Sequence, residues 1–464
     1  MKSTQGDSGT HRRPPVRGHT SGRRRRADGS RRRGRLRWTP ALVVAAGMAL
    51  AACGASAPSA SKVTPKRTAA PQVTTVSLWE SHNGGPVGDA VSALVARFNA
   101  SHPSVQVDVT VTKASKKLLA ATAAGDPPVL AEISHYDGQY VKAHALVSWN
   151  TFMAGSSVVD KANVLPAVWK NGEVNGQHFR LEADTKVSIV DYNKALFAKA
   201  GITTPPATWT ELAADAAKLK ATGVIPIGWK DSSAHILPAF MSNGGTMLRG
   251  GNTTGTAVDF NTPAGTTTFS YFHTLYAGGD LVFGHGTSLR EDLAAGKMAM
   301  IDGTSAGYQK PLDAVSGKFP VGAFVEPAGS TGHAYNVAQG LGFVLPKGHT
   351  HAQDEAAWTF VQWWFEPSQQ VYWAEHTGFP PETKAGVAAM PSSFLTSHPG
   401  EAATITATES PNTYPRPLSD RYKEVQSSLD ATFLEVVEGK ESVVAGLHAL
   451  DQQGNSYMSG ASAL

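Results

Sequence analysis

The chain has 464 residues, of which 41% are hydrophobic and 17% are charged, and it contains one cysteine. This length is sufficient for two or three packed domains, and a single cysteine excludes a disulfide framework and a structural zinc site of paired cysteines. The net charge of +4 averages two different segments, because residues 1–40 contain 13 basic and 2 acidic residues, whereas the chain from Cys53 onward contains 28 basic and 35 acidic ones. The mildly acidic body argues against nucleic acid as a partner.

The first 52 residues have the pattern of an export signal. Residues 23–26 and 31–37 are strongly basic, and twelve apolar residues follow at 41–52. Twelve residues rise about 18 Å as a helix, which is too short for a hydrocarbon core of about 30 Å. A secretory signal is therefore favoured over a membrane-spanning anchor, with the general secretory and twin-arginine routes both open.

The sequence LAAC at residues 50–53 resembles the cleavage box of bacterial lipoproteins, in which the cysteine is acylated and becomes the new N-terminus. It predicts a lipid anchor on Cys53 and a location on the outer face of the cytoplasmic membrane. Residues 54–72 are rich in Ala, Ser, Pro and Lys and have no periodicity. They are expected to form a flexible tether between the anchor and the body.

Strands and helices alternate from residue 73. Periodicity predicts strands over 73–78, 105–111 and 129–133, with helices over 87–99 and 118–124 between them. This order is typical of an α/β layer with mostly parallel strands, in which ligand-binding groups lie at the carboxyl ends of the strands. The residues at two such ends are Trp79, Glu80, Ser81, His82 and Asn83, and then Ser134, His135, Tyr136 and Asp137.

The same kind of alternation resumes after residue 186 and predicts a second α/β domain. Strands are expected over 187–192, 224–227 and 298–301, and helices over 194–200, 209–221, 266–276 and 290–296. The tryptophan-rich segment 354–373 is expected to be helical, with its tryptophans other than Trp373 in the core. Two amphipathic helices are expected at 419–439 and 443–457.

Seven stretches, in order between residues 77 and 386, resemble family 1 extracellular solute-binding proteins, which serve ABC importers. They are SLWESHNGG, ARFNASHPSVQV, AATAAGDPPVLAEIS, DYNKALFAKAGI, PATWTELAADAAKLKATGVIPIG, LAAGKMAMIDGTSA and AAWTFVQWWFEPSQQVYWAEHTGFPPETKAG. The sugar binders and the glycerol-3-phosphate binders are the subgroups that the chain resembles most.

The resemblance implies two α/β lobes joined by three crossovers, with a ligand cleft between the lobes. The first lobe is expected at 73–185 and 304–366, the second at 186–303 and 367–455, and a tail at 456–464. The crossovers are expected near 182–186, 303–305 and 366–368. The resemblance also implies hinge closure around a solute and docking on an ABC permease in the membrane. A monomer is the default expectation.

A neutral sugar in such a cleft requires aromatic faces and a few polar side chains. Trp79 and Trp229 each follow a strand and are candidate platforms, with core packing as the alternative for both. Gly340 is a candidate for close approach of ligand to backbone, or for a strand bulge. The polar candidates after the first strand are Glu80, Ser81, His82 and Asn83, with a solvated turn as the alternative for each. One or two contacts are expected from the group that includes His135, Tyr136 and Asp137, and further candidates at the expected crossovers are Asp184, Asp302 and Ser305.

Arg416 is the residue that supports an alternative ligand, a phosphate ester. It lies between Pro415 and Pro417, which restrict its backbone, and the glycerol-3-phosphate binders use an arginine in this late region on phosphate. A surface ion pair is the other interpretation. Where those binders have an early tyrosine and a glutamate, this chain has Ser115 and His135, which favours a carbohydrate.

The sequence lacks these catalytic motifs, since it has no HExxH, no GxSxG and no second cysteine. We therefore expect no catalytic residue, no cofactor and no metal, and we interpret His349 and His351 as a solvated loop. A secreted glycosidase that uses Glu80 and Asp302 as paired carboxylates is a remote alternative. A structural or adhesive surface lipoprotein is a third class.

Overall fold

The computed structural model describes residues 73–134, 137–305, 309–419 and 421–459. The predicted signal segment, Cys53 and the tether lie outside the described residues. Among the described residues, no helix is both long enough and apolar enough to cross a membrane. The strands are β1 (Thr74–Glu80), β2 (Val105–Val111), β3 (Leu130–Ser134), β4 (Leu146–Val147), β5 (Glu173–Val174), β6 (Gln177–His178), β7 (Arg180–Glu182), β8 (Ser188–Asn193), β9 (Ile225–Trp229), β10 (Leu281–Phe283), β11 (Met298–Thr304), β12 (Val321–Val325), β13 (Asn336–Ala338), β14 (Leu341–Pro346) and β15 (Thr413–Pro415).

The helices connect and cover these strands. They are α1 (Gly85–Ser101), α2 (Ala114–Ala124), α3 (Asp137–Lys142), α4 (Asn150–Met153), α5 (Pro166–Asn171), α6 (Lys194–Lys199), α7 (Trp209–Lys220), α8 (Ser233–Ser242), α9 (Pro263–Ala277), α10 (Gly286–Ala294), α11 (Gln309–Val315), α12 (His351–Trp364), α13 (Pro367–Thr377), α14 (Lys384–Ala389), α15 (Ser392–Ser397), α16 (Pro399–Glu409), α17 (Tyr422–Val437) and α18 (Val443–Met458).

The first lobe is built on a sheet with the order β2-β1-β3-β14-β4, in which β7 also pairs with β14. Strand β1 is parallel to β2 and β3, whereas β14 runs antiparallel to β3. Helices α1, α12 and α13 contribute apolar side chains to the core on this sheet, including Phe98 and Trp364. The carboxyl ends of β1 and β3 therefore lie at one edge of the sheet.

The second lobe is built on a sheet with the order β10-β9-β11-β8-β12. Strand β9 is parallel to β10 and β11, and β8 is antiparallel to both β11 and β12. All six residues of β8 are buried, because helices pack on both faces of this central strand. Helix α7 begins at a capping box formed by Thr208 and Glu211.

The predicted fold class, two α/β lobes joined by three crossovers, is confirmed, but two of the three crossover positions are wrong. The chain first crosses between β7 and β8, as expected. It stays in the second lobe through β11, because β12 pairs with β8 of the second sheet. The return crossing lies between β13 and β14, after residue 338, and not at 303–305.

The third crossover is also later than expected. Pro367 begins a new helix, α13, because proline has no N–H to continue the preceding helix but is favoured at the first helical position. Trp373 of α13 and Phe379 after it belong to the core of the first lobe. The chain crosses only after α14, and α16 then packs on β12 and β8. The last helix extends to Met458, so the expected tail begins later than residue 456.

Candidate functional site

His82 lies at the centre of the candidate site, directly after β1. Its Nδ1 lies 2.5 Å from a carboxylate oxygen of Glu80 and 3.4 Å from one of Glu132, and its Nε2 lies 2.9 Å from Asp184. The three carboxylates are almost fully buried, and 15% of the His82 side chain is exposed. Strands β1 and β3 and the first crossover thus meet at one imidazole ring.

This arrangement stabilises a protonated imidazole. Burial alone lowers the pKa of His82, but hydrogen bonds with Asp184, Glu132 and Glu80 raise it to about 12. Both ring nitrogens face carboxylate oxygens, and only the imidazolium can donate from both. Burial raises the pKa of Glu132, against the lowering effect of His82. Three carboxylates against one imidazolium leave the cluster with a net negative charge, even with Glu132 protonated.

Two aromatic rings form the other side of the His82 pocket. Trp373 and Phe379 are stacked, with ring centroids 5.7 Å apart and an angle of 12° between the rings. The His82 ring meets both edge to face, at 6.3 Å and 6.4 Å. Both aromatic residues are buried. They hold the imidazole in place from the side of α13.

Asp184 also binds the return crossover to this cluster. Its carboxylate accepts a hydrogen bond from the backbone N–H of Leu341. A Cβ atom on Gly340 would lie 2.4 Å from the carbonyl oxygen of Asp184 and 2.4 Å from a carboxylate oxygen of Glu182. Gly340 is therefore required for close packing of two chain segments at the crossover.

Glu382, between α13 and α14, binds the first crossover to the first lobe. Its carboxylate accepts hydrogen bonds from the backbone N–H of Thr185 at 2.6 Å and from the hydroxyl of Thr185 at 2.8 Å. Glu382 is fully buried, and burial raises its pKa well above the usual value, against the lowering effect of the Thr185 N–H. Buried carboxylates thus fix the first crossover both to the start of β14 and to the segment after α13.

A second carboxylate–histidine pair lies at the carboxyl edge of the second sheet. Nδ1 of His235, in α8, lies 2.7 Å from an Asp302 carboxylate oxygen. Asp302 is fully buried and also accepts a hydrogen bond of 3.4 Å from the backbone N–H of Lys230. Ser305, which directly follows β11, accepts a hydrogen bond from the N–H of Val187 at 3.2 Å. Both predicted residues, Asp302 and Ser305, are therefore engaged within the second lobe.

Asp191 lies on β8 beside this pair. Its carboxylate is 1% exposed, and a Cβ on Gly303 would come within 2.9 Å of it. Burial raises the pKa of Asp191 well above its usual value, while the Lys230 ammonium opposes this. Burial in turn lowers the pKa of Lys230, which Asp302 and Asp191 counteract. This edge therefore holds more carboxylates than cations.

Arg416 lies after β15, on the side of the second lobe where β13 and β15 pair. Its Nη2 donates to the side-chain oxygen of Gln339, which is in the return crossover. Tyr414 stacks parallel to Tyr335 with centroids 6.3 Å apart. The ammonium of Lys170, from α5 of the first lobe, lies 4.5 Å above the Tyr414 ring. Arg416 is thus part of the junction between the lobes.

Comparison with known proteins identifies the group to which this architecture belongs. A family model for bacterial extracellular solute-binding proteins matches residues 93–402, which is more than half of the chain. The chain belongs to this family. The resemblance drawn from the seven sequence stretches is therefore confirmed.

Named relatives of this solute-binding protein fall into two groups. The sn-glycerol-3-phosphate-binding periplasmic protein UgpB of Pectobacterium atrosepticum is 24% identical over 418 residues, which are 83% of this chain and 91% of that protein. The sugar-binding protein MalE of Xanthomonas citri has a TM-score of 0.74 at 21% identity, covering 83% of this chain and 98% of its own. The cyclic alpha-maltosyl-1,6-maltose binding protein of Arthrobacter globiformis has a TM-score of 0.72 at 22% identity, covering 83% and 99%. These structures share the fold.

The structure brings part of the predicted ligand set together. Glu80, His82 and Asp184 meet in one cluster, and the hydroxyl of Ser81 donates to the backbone carbonyl of Glu132 at 3.2 Å. Asn83 lies outside the cluster, exposed in the turn before α1. His135 and Tyr136 lie outside the described residues, and Asp137 begins α3 with its side chain undescribed.

The two tryptophan candidates differ. Trp79 is half-buried and packs beside Leu119 and Phe179 against a small apolar cluster of the first lobe. Trp229 is fully buried, and its indole N–H donates to the backbone carbonyl of His235 at 3.0 Å. The expectation that Trp229 is a ligand platform is therefore wrong in this conformation, because core side chains surround its ring.

Several residues of the site were not predicted from the sequence. Glu132 left a signal, because a carboxylate inside the apolar strand 129–133 must find a buried partner. His235 lies within the apolar segment AHILPAF and left the same kind of signal. Trp373, Phe379 and Glu382 come from a segment that was assigned to the other lobe, so their place beside His82 and Thr185 had no signal.

Glu80, His82 and Glu132 are also the set of side chains that resembles a metal site, with ligand atoms within 4.8 Å of one another. In this structure the three groups bind each other, since the Nδ1–H of His82 donates to the carboxylates. We assign no metal to them.

Proposed function

We propose that this solute-binding protein serves an ABC importer and captures a neutral carbohydrate between its two lobes, without chemistry of its own. The observation that carries the proposal is the ring of buried carboxylates around His82, with Asp302 at the carboxyl edge of the second sheet. Carboxylates accept hydrogen bonds from hydroxyl groups, which a sugar supplies in number. The named sugar-binding neighbours support the same class of ligand.

The charge of this cluster disfavours a phosphate ester at the same place. A phosphate dianion beside the net negative charge of the Glu80, Glu132 and Asp184 cluster would be repelled, and burial strengthens that repulsion. A glycerol-3-phosphate or glycerophosphodiester ligand is the second candidate. Arg416 supports it, because its guanidinium lies at the lobe junction beside Gln339, and so does the name of the UgpB relative.

A glycosidase is not favoured by these contacts. That alternative requires Glu80 and Asp302 to act as a pair on one substrate. Each is instead bound to a histidine of its own lobe, Glu80 to His82 and Asp302 to His235. A binding function does not require Glu80 to leave His82 or Asp302 to leave His235.

Export and lipid anchoring through Cys53 complete the proposal. The family is extracellular, and the basic and apolar leader of this chain agrees with export. A lipid on Cys53 with the tether at 54–72 would keep the receptor close to its permease. Mass spectrometry of the protein from its native membrane tests this directly, because lipoprotein maturation adds the mass of the acyl chains at Cys53 and cleaves the 52–53 peptide bond, which removes residues 1–52.

The test of the ligand is a tryptophan-fluorescence titration of the purified protein, repeated by calorimetry. The panel contains mono- and oligosaccharides beside glycerol-3-phosphate and glycerophosphodiesters. We expect saturable binding of at least one sugar and no response to the phosphates. Saturation by phosphates alone would overturn the carbohydrate proposal. Release of sugar from an oligosaccharide would overturn the non-enzymatic one.

A further inference from the structure

A small cavity in the second lobe contains a carboxylate that the proposed function does not use. The cavity has a volume of about 100 Å³, and its lining includes Glu326, Tyr335, Thr406, Ser410 and Thr413. Glu326 follows β12 and is 1% exposed. Neither of its carboxylate oxygens has a hydrogen-bond partner among the residues that the structure describes. A buried carboxylate in this condition is costly unless something compensates it.

Two of the hydroxyl groups around the cavity have already used their protons. The Thr406 hydroxyl donates to the backbone carbonyl of Ala402 at 2.9 Å, and the Thr413 hydroxyl donates to that of Ala407 at 2.5 Å. A hydroxyl has one proton, so only the lone pairs of these two oxygens remain for an occupant. Together with the two oxygens of Glu326, these acceptors favour an occupant that donates hydrogen bonds.

The lining also includes an aromatic ring. Tyr335 lines the cavity and stacks on Tyr414, whose ring already lies 4.5 Å from the Lys170 ammonium. Ring faces attract cations, and a carboxylate attracts them more strongly. Since liquid water occupies about 30 Å³ per molecule, the volume suits a group of a few heavy atoms. The exposed Thr406 side chain gives an entry from solvent.

We propose that this cavity binds an ammonium-type cation, either free ammonium or the primary ammonium group of an amine, on the carboxylate of Glu326. The site is separate from the carboxylate cluster around His82, and the proposal does not depend on the carbohydrate function. An N–H donor cation supplies both the positive charge and the hydrogen bonds that this lining requires.

Protonation is the alternative way to neutralise Glu326. Burial raises the pKa of Glu326 well above its usual value, Asp302 adds to the rise, and Lys230 opposes it. The raised pKa of Glu326 favours the protonated carboxyl group, and a cation that binds the carboxylate displaces that proton to solvent. Binding is then expected to release a proton, which calorimetry in buffers of different ionisation enthalpy detects.

The experiment uses the purified full chain with ammonium chloride, and with tetramethylammonium chloride at equal ionic strength. Tetramethylammonium has the same charge but no N–H donor. We expect ammonium alone to raise the melting temperature by a few degrees, and ¹⁵N-labelled ammonium to give a bound NMR signal. Methylammonium and glucosamine form separate arms. A response to free ammonium assigns the free cation, and a response to the amines alone assigns the amino group of a larger solute.

Glu326→Gln is expected to lose both the thermal and the NMR response. Its matched control is Glu401→Gln on α16, because Glu401 is also 1% exposed with a carboxylate oxygen that lacks a partner among the described residues, but does not line the cavity. Thr406→Val, an exposed change that preserves folding, should weaken binding several-fold. Equal responses to ammonium and tetramethylammonium in the unmodified protein, or a full response in Glu326→Gln, would overturn the proposal.

Discussion

Each lobe has a histidine near the carboxyl edge of its sheet, and the surroundings of the two differ. His82 contacts three carboxylates from β1, β3 and a crossover, and 15% of its side chain is exposed. His235 contacts one carboxylate, that of Asp302, and is 5% exposed. The same kind of histidine–carboxylate pair therefore has two different structural roles in this protein. His82 joins segments that meet at the lobe junction and remains accessible there, whereas His235 braces the interior of one lobe.

The largest difference is expected in stability. His82→Leu should lower the free energy of unfolding by about 3–5 kcal/mol at pH 7, because it leaves three buried carboxylates without their cation. His235→Leu should cost about 1–3 kcal/mol, because it removes one hydrogen-bond partner from one carboxylate. Urea unfolding followed by tryptophan fluorescence measures both. An equal loss of unfolding free energy in the two variants would show that His82 stabilises the fold no more than His235 does.

The pH dependence of stability should separate the two histidines further. The pKa of His82 is raised from 6.5 to about 12 in the folded state, so the folded chain binds one more proton than the unfolded chain between these values. Its stabilising contribution is therefore complete below about pH 6.5 and is lost as pH rises toward 12.

The difference in unfolding free energy between the unmodified protein and His82→Gln should shrink by about 1.4 kcal/mol per pH unit above pH 7. Urea melts at pH 7, 8 and 9 measure it, with His235→Gln as the comparison variant. The carboxylates that face the ring, Glu80, Glu132 and Asp184, are the same in all samples. A difference that stays constant with pH would contradict a protonated His82.

The elements of both edges could be predicted from local sequence because their periodicity is strong. Strand β2 and helix α7 were found at or near their observed limits, and the order of elements predicted parallel strands with polar groups at their ends. That reasoning placed Glu80 and His82 correctly beside each other. Local sequence can predict a contact between two side chains when both lie at the end of the same strand.

Partners that come from distant segments could not be predicted in this way. Asp184 reaches His82 from the first crossover, and Trp373 and Phe379 reach it from α13 and the segment after it. The return crossover depends on which sheet β12 joins, and nothing in the local pattern of residues 321–325 distinguishes one sheet from the other. Trp373 was assigned to the wrong lobe because the third crossover was expected before α13. Both errors concern tertiary packing, which local patterns do not encode.

Trp79 and Trp229, which lie at the carboxyl ends of strands in the two lobes, are expected to differ in their effect on ligand binding. Trp79→Ala should weaken carbohydrate binding at least tenfold, about 1.4 kcal/mol, with the fold intact, because Trp79 is only half-buried near the carboxyl end of β1. The matched variant is Trp229→Phe, which keeps a ring in the core and should leave affinity unchanged. Calorimetric titration with the sugar that binds best measures both, and circular dichroism checks the fold. An unchanged affinity in folded Trp79→Ala would assign Trp79 to packing.

The smallest effect is expected at Arg416, and it tests whether the charge of the first edge decides the ligand. Arg416→Gln should change carbohydrate affinity less than twofold, because the guanidinium donates to Gln339 and the hydroxyl-accepting groups lie around His82. A phosphate ester would instead depend on Arg416, since a bidentate guanidinium–phosphate contact is worth several times a neutral hydrogen bond. Parallel titrations of the unmodified protein and Arg416→Gln with a sugar and with glycerol-3-phosphate compare the two. A loss of sugar binding in Arg416→Gln would place the ligand at the Arg416 side of the junction and remove the carboxylate cluster from direct recognition.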